Sequence, residues 1–476
     1  MLAALLCFAL IGADAPPNIV LLVADDLGYG EIAPGADAAQ IPTPHIDAID
    51  DVVFTAGYVA GPNCSPSRAG LLSGLFPTRF GYEFNPIGPR NEEPGVGLPP
   101  SIRTLPERLR DAGYATGLIG KWHLGGSAPY HPHRQGFDRF FGFLHEGHYF
   151  RPAPYDGLTT WLRKPSLPPL GEAADGRWVR SDERLVWSSW SGRNEPDYDA
   201  NNPILRDGQP VAEPDYLTDA FTREAVAFVR SHAEQPFFLE VAYSAVHSPL
   251  QAKNADVDAF AAIGDIQRRI FAGMLKSLDE SVGAILVAIE AAGVGDRTIV
   301  VFLSDNGGPT RELTSSNRPL RGEKSQMYEG GVRVPLRMEL PAAMQPPAAT
   351  VDDPVSTLDL TPTLLGLAGG RVDGPTDGLD IAGLLDGSPA DADAVRGKLA
   401  ERPLFFRQGS RAALRWGGLK IVRDSGWNRP PGRWELYDVA ADPSESNDLI
   451  EARPDDAARL IRRFESLDAE MSDPLF

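Results

Sequence analysis

The 476-residue sequence carries 45 Lys and Arg against 65 Asp and Glu, a net charge of −20, which argues against general binding to nucleic acid or an anionic membrane surface. Hydrophobic residues at 42%, aromatics at 9% and charged residues at 23% fit a folded globular chain and exclude wholesale disorder and a membrane bundle. With 48 Gly and 43 Pro, the chain reads as long, punctuated loops on a scaffold whose length allows about two to four domains.

Residues 2–12 form a short apolar run followed by Ala13-Asp14-Ala15, the small-x-small form of a cleavage site. This predicts a leader over residues 1–15 and a secreted or periplasmic protein. The run is too short to span a bilayer and no other segment approaches the roughly 20 apolar residues required, so stable membrane insertion is not expected. Loss of the leader removes Cys7 and leaves Cys64 as the single cysteine. A lone thiol in an exported chain is either buried and inert or converted into something else.

Residues 18–24 (Asn-Ile-Val-Leu-Leu-Val-Ala) predict a buried parallel strand that stops at Asp25-Asp26-Leu27-Gly28. Farther on, Pro66 opens a helix just after Cys64; its N-terminus favours an anion docked at residue 64, with Arg68 about one turn in. Thr104-Leu105-Pro106-Glu107 has capping-box form and opens a helix that Gly113 closes, before a strand at 114–120. The stretch 150–215 is rich in Pro, Gly, Asp and Trp without long periodicity, which marks a functional insert. Thr218 or Asp219 caps a helix with Phe221, Ala225, Phe228 and Val229 on one face, ended by Pro236 before a strand at 237–243. A longer helix carries Met274, Leu278, Val282, Ile285 and Ile289, then a strand at 298–303 runs into Ser304-Asp305-Asn306-Gly307-Gly308. This alternation predicts an α/β fold, a large and mostly parallel sheet sandwiched by helices. Beyond about Gly370, a Gly/Asp-rich linker leads to short strands near 404–406, 412–415, 419–422 and 434–437 and a final helix from about Pro454 to Met471. The expected division is therefore a leader (1–15), a main domain (16–370), and a linker with a small C-terminal antiparallel sheet plus helix (371–476).

Asp25-Asp26 and Asp305-Asn306 each follow a predicted core strand, and strand carboxyl ends line the ligand crevice of an open α/β sheet. Three carboxylates and an amide oxygen form a hard donor set suited to Ca²⁺ or Mg²⁺ rather than Zn²⁺. His123, beside Lys121, and His247 each sit at a predicted strand end and can reach the same crevice, where imidazole can give or accept a proton near neutral pH. Trp161, Trp178, Trp187 and Trp190 offer flat apolar surfaces for sugar rings, with ordinary packing as the alternative.

Cys64-Ser65-Pro66-Ser67-Arg68, continued by Ala69-Gly70-Leu71-Leu72-Ser73-Gly74, resembles the signature of the type I, arylsulfatase-like sulfatases of the alkaline-phosphatase superfamily. The resemblance extends to the segment 18–30, Thr43-Pro44-His45-Ile46-Asp47, Gly120-Lys121-Trp122-His123-Leu124-Gly125, Val246-His247-Ser248-Pro249, Ser304 to Gly308, Leu320-Arg321-Gly322-Glu323-Lys324 and Leu436-Tyr437-Asp438. It implies an alkaline-phosphatase-like fold with a catalytic main domain, and hydrolysis of O-sulfate esters. It also implies that a partner enzyme, a formylglycine-generating or other sulfatase-maturing enzyme, oxidises Cys64 to formylglycine (3-oxoalanine), whose hydrate is the nucleophile that becomes a sulfated hemiacetal. By the same resemblance Asp25, Asp26, Asp305, Asn306 and the modified Cys64 hold a metal, Ca²⁺ ahead of Mg²⁺. Arg68 and Lys121 steady the hydrate, Lys324 contacts the sulfate, His247 protonates the leaving oxygen, and His123 takes the proton of the second hydroxyl. The expected substrate is a sulfated carbohydrate. A phosphate or phosphonate ester hydrolase of the same superfamily, and a non-catalytic binder of sulfated glycans, stand as the alternatives.

Overall fold

The computed structural model describes residues 16–32, 41–167, 176–344, 349–385, 388–426 and 429–476; the leader expected at 1–15, with Cys7, lies outside them. Asn18–Ala24 is buried along its whole length at the centre of an 11-stranded sheet. Its parallel neighbours are Thr298–Ser304 on one side and Phe237–Ala242 on the other, followed outward by parallel Ala115–Lys121 and Arg139–Phe143. Antiparallel strands adjoin this parallel set on both sides, Arg333–Glu339 beside Thr298–Ser304 and Leu205–Arg206 beside Arg139–Phe143, with Val52–Tyr58 and Ala349–Val351 beyond the first and Gln209–Pro210 beyond the second. Alternation along the central strand sends Ile19, Leu21 and Val23 into one core and Val20, Leu22 and Ala24 into the other. The first core is roofed by the helices Cys64–Ser73, Leu105–Asp111 and Thr357–Leu367, the second by Leu217–Ser231 and Ile266–Ala291. Among the described residues, no helix is long and apolar enough to cross a membrane.

The Thr104 capping box forms as expected, with the Thr104 N–H donating to Glu107 at 2.8 Å and the Glu107 N–H donating to the Thr104 hydroxyl at 3.3 Å. Two helix starts differ from expectation. The helix read as capped by Thr218 or Asp219 begins at Leu217 without a side-chain cap. The Leu217 N–H is instead met at 2.9 Å by the carbonyl of Phe150, a tertiary partner that makes a local cap unnecessary. Likewise the helix expected to start at Pro66 begins at Cys64 itself, so residue 64 is its first turn rather than its approach. The insert forms a second sheet, in which Leu158–Arg163 pairs with Leu250–Lys253 and Leu185–Ser188, and Arg177–Val179 lies at the edge.

The four strands Leu404–Gln408, Arg411–Trp416, Leu419–Arg423 and Glu435–Asp438 make an antiparallel sheet. Against it the helix Pro454–Asp468 packs Leu460, Phe464 and Leu467 onto Phe405, Leu414 and Ile421. A further helix, Pro389–Glu401, occupies part of the stretch read as linker; only Val395 and Leu399 are buried on it, too few apolar positions to register as a periodic face. The small sheet meets the large one through Lys420, whose ammonium lies 2.9 Å from Glu329 and 3.1 Å from Glu445, all three side chains fully buried. Tyr58 donates to the other Glu329 oxygen at 2.6 Å. Lys420→Met would strip the buried Glu445 of its cation and leave Glu329 with Arg333 at 3.5 Å, so a loss of about 3 kcal/mol is expected in urea unfolding. A loss under about 1 kcal/mol would show that the cluster is not what joins the two sheets.

Candidate active site

Because Ala24 and Ser304 are register partners in adjacent parallel strands, Asp25-Asp26 and Asp305-Asn306 leave the sheet side by side. The Asp26 N–H donates to Asp305 Oδ1 at 3.2 Å, and the main chain of Asp25 bridges to Ala245 and Val246 at 3.0 and 2.8 Å. Asp26 and His123 hold φ of 63° and 57°, a left-handed conformation uncommon outside glycine. Such positions persist where surrounding contacts over-determine them and cluster at functional sites. Gly307 lets this turn lie flat on Gly330, since a Cβ there would fall inside the Gly330 carbonyl oxygen.

The sequence-predicted residues converge at this point. Cys64 Sγ lies 3.5 Å from Asp25 Oδ1, and donor atoms of Asp25, Asp26, Cys64 and Asp305 all lie within 4.8 Å of one another. Lys121 Nζ is 2.6 Å from Asp25, Lys324 Nζ is 2.7 Å from Asp26, and Arg68 contacts Asp305 through Nε at 2.9 Å and Nη2 at 2.8 Å. Three cations thus face three carboxylates. Asn306 donates to Asp26 Oδ1 at 2.7 Å and to the Gly307 carbonyl at 3.0 Å, which leaves its Oδ1 buried without a donor. An unmet buried acceptor costs about 1–3 kcal/mol, and a cation in this nest of oxygens would meet it. The residues present therefore fit a hard divalent cation.

Burial works against the Asp25 carboxylate, yet Lys121, with His247 and Arg68, holds it below its ordinary range. Burial pushes the Cys64 thiol up to about 12, so an unmodified thiol stays protonated at neutral pH. Burial, with Lys121 beside it, holds His123 well below the ordinary imidazole range, so its ring is neutral. Its Nε2 lies 2.9 Å from the Pro86 carbonyl and its Nδ1 has no partner, which fixes the proton on Nε2 and frees the Nδ1 lone pair. His247 has the reverse arrangement: Nδ1 donates to the Ser248 carbonyl at 2.7 Å, and Nε2 points toward Asp26 Oδ2 at 3.7 Å.

Ser65 belongs to the motif around Cys64, but the residues that partner it carry no local sequence signal. Ser65 donates to the His123 carbonyl and lies 2.8 Å from the Tyr82 hydroxyl, while Asn85 accepts the Ser65 N–H at 3.0 Å. The Ser325 hydroxyl donates to Asn63, tying the Lys324 loop to the residue before Cys64. Above the cluster opens a cavity of about 700 Å³ that reaches from His247 and Lys324 out to Trp190, Tyr198, Arg193 and Arg311. Of the four tryptophans considered, Trp190 lines it; Trp161 is a core residue, and Trp178 stacks on Trp187 at 4.6 Å. These wall residues come mostly from the aperiodic insert, where pattern gives no orientation.

The sulfatase family profile matches residues 17–370, and that of the C-terminal region of N-sulphoglucosamine sulphohydrolase matches residues 322–469. The chain is 33% identical to mouse N-acetylgalactosamine-6-sulfatase over 415 residues, covering 84% of this chain and 70% of that protein. To human arylsulfatase A it is 32% identical over 468 residues, covering 91% and 83%. The crystal structure of Ps i-CgsB in complex with k-i-k-neocarrahexaose superposes with a TM-score of 0.80 at 31% identity, covering 96% of this chain and 94% of that one.

One buried acid beside the cluster stands outside the roles above. Glu240, in the middle of Phe237–Ala242, is pushed by burial from 4.5 up to about 7, with Arg68 working against the rise, and its Oε2 has no partner. A carboxyl whose folded value is raised contributes stability that is full below its unfolded value and lost as pH climbs through the folded one. Glu240→Gln lacks that dependence. Its melting temperature minus that of the parent is therefore expected to grow between about pH 4.5 and pH 7; a difference that stays flat across this window would contradict the assignment.

Proposed function

The chain belongs to the sulfatase family and is a sulfuric ester hydrolase, and we propose that it removes sulfate from a sulfated carbohydrate using a formylglycine at position 64 and a Ca²⁺ ion held by Asp25, Asp26, Asp305 and Asn306. The observation that carries this reading is the meeting of Cys64 with three carboxylates inside 4.8 Å, directly behind His247 and Lys324, which contact Asp26 and line one cavity. When bound, the cation polarises the ester's sulfate oxygens and the residue-64 nucleophile. Three carboxylates offset by Arg68, Lys121 and Lys324 are neutral together, so a dication turns the centre into a receptor for an anion. In a chain of net charge −20, such a local surplus is what admits a sulfate ester.

Each side chain then has a task its geometry supports. Formylglycine hydrate carries two hydroxyls, one to take the sulfuryl group and one whose deprotonation expels sulfate and restores the aldehyde. Lys121 and Arg68, locked on Asp25 and Asp305, offset negative charge developing at residue 64. His247 has its Nδ1 proton committed to Ser248, so Nε2 is the atom that delivers a proton to the departing alcohol. His123, neutral with Nδ1 unpartnered, is the base for the second hydroxyl. Lys324, at the cavity floor, grips a sulfate oxygen. Trp190, Tyr198 and the 63%-exposed Ile87 supply apolar surface for a sugar ring, in keeping with the saccharide in the Ps i-CgsB complex. Export through the leader at residues 1–15 belongs to the same proposal.

The test is sulfate release from a panel of sulfated mono- and oligosaccharides by protein co-produced with a sulfatase-maturing enzyme, with mass spectrometry of the peptide bearing residue 64. An aldehyde at that position and steady turnover are expected, and Cys64→Ser should lower turnover by about 10³-fold or more. Sustained turnover by Cys64→Ser, or faster cleavage of a phosphate ester than of the sulfate ester of the same phenol, would refute the reading. Ca²⁺ added to metal-stripped protein should stabilise it, by about 2.7 kcal/mol at a hundredfold excess over Kd. Asn306→Ala should need more Ca²⁺ for the same gain; an unchanged calcium dependence would remove Asn306 from the ligand set.

A further inference from the structure

The cavity over the active site is lined by Arg163, Arg193, Arg311 and Lys324 together with the carboxylates Glu146, Glu312 and Glu323, and the partners of these groups decide which charges are free to meet a substrate. Its carboxylates are occupied: Glu312 pairs with Arg163 at 2.9 Å, Glu146 accepts from the Gly88 N–H at 2.8 Å and the Asn91 amide at 2.9 Å, and Glu323 accepts from the Thr310 N–H at 2.7 Å. Lys324, at the inner end, is held by Asp26. What remains are Arg193 and Arg311 at the outer, exposed end. Among the described residues neither has a carboxylate within ion-pair distance. Elsewhere on this acid-rich chain exposed arginines draw several acids at once, as Arg223 does with Glu213, Asp215 and Glu224. The Arg311 guanidinium is also placed, lying 4.8 Å over the ring of Trp190 in a cation–π contact that holds its fork at the cavity wall.

Resting on the sulfate-ester reading above, we infer that Arg193 and Arg311 form a second anion subsite, so that the preferred substrate is an oligosaccharide bearing another sulfate or carboxylate on the ring next to the one desulfated. Guanidinium is the side chain whose planar fork matches both groups. A cavity of about 700 Å³ is of the size that accepts a drug-sized ligand, and a disaccharide is such a ligand. The indole of Trp190 lies between the two tasks: one face carries Arg311, and the ring is part of the wall a sugar passes on its way to His247. Both arginines are exposed whereas the Asp25, Asp26, Cys64 and Asp305 cluster is buried, which fits a role in affinity rather than in bond cleavage.

The experiment compares kcat/KM of the parent and of the Arg193→Gln/Arg311→Gln double variant on three matched disaccharides. One carries the scissile sulfate alone, one adds a sulfate on the neighbouring ring, and one has a uronate there. Hydrolysis of 4-nitrophenyl sulfate by the parent reads the core chemistry independently. The parent should favour the doubly charged disaccharides by about tenfold or more, mostly through KM, and the double variant should lose that preference. Arg311→Lys, which keeps the charge but not the fork, should retain part of it and so guards against a merely structural effect. Preference for the disulfated over the uronate compound, or the reverse, identifies which anion the subsite takes. Equal rates on all three compounds by the parent, or an unchanged preference in the double variant, would overturn the inference while leaving sulfate-ester hydrolysis intact. Failure of the parent on 4-nitrophenyl sulfate and on every disaccharide would instead strike the reading on which it rests.

Discussion

Like-charge repulsion between three buried carboxylates is the constraint around which this structure is organised. Asp25, Asp26 and Asp305 bring their oxygens within 4.8 Å, and unit charges about 4 Å apart at an effective dielectric near 20 interact by about 4 kcal/mol. Such a cluster survives only with compensating charge, and here each carboxylate has a cation from a different element: Lys121 from a strand end, Arg68 from a helix, Lys324 from a loop. The arrangement is balanced but not saturated, because Asn306 Oδ1 still lacks a donor. A divalent ion held there would satisfy that oxygen and tip the centre toward positive, the sign that favours an ester of sulfuric acid.

Holding three cations on three acids demands that remote pieces of chain stay in register. The parallel pairing of Ala24 with Ser304 sets the acids side by side, and the close approach of Gly307 to Gly330 brings in the loop that ends at Glu329. That loop is pinned again where the Gly330 N–H donates to the Arg321 carbonyl at 2.7 Å and where Lys420 reaches Glu329. The small C-terminal sheet is therefore part of what keeps Lys324 over Asp26, although none of its residues lines the cluster.

Chemistry and recognition are drawn from different parts of the chain. The acids and both histidines sit on or just past strand ends of the large sheet, where backbone pairing leaves little freedom. The cavity wall comes from loops and from the insert, with Trp190, Arg193 and Tyr198 from the insert and Arg311 and Glu312 from the loop after Thr298–Ser304. Loops on a scaffold of paired strands can change their recognition surface without moving the groups the sheet presents.

Much of the fold was legible from the sequence because its signals are local. Continuous apolar runs ending in Asp-Asp and Ser-Asp-Asn mark buried strands that deliver carboxylates to one edge, the Thr104–Glu107 box marks a helix start, and the motif around Cys64 marks a helix, though one that begins two residues before Pro66. Other features depend on groups far apart in the chain. The helix at Leu217 begins where it does because a carbonyl at Phe150 meets its first N–H, and Trp190 reaches the cavity while Trp161 is buried and Trp178 and Trp187 stack on one another. Residue type and spacing by themselves determined which groups the sheet would present and in what order. Tertiary packing alone decided which oxygen stays unpartnered and which arginines face the cavity without an acid, since hydrogen bonds and ion pairs are settled by the nearest available partner in space.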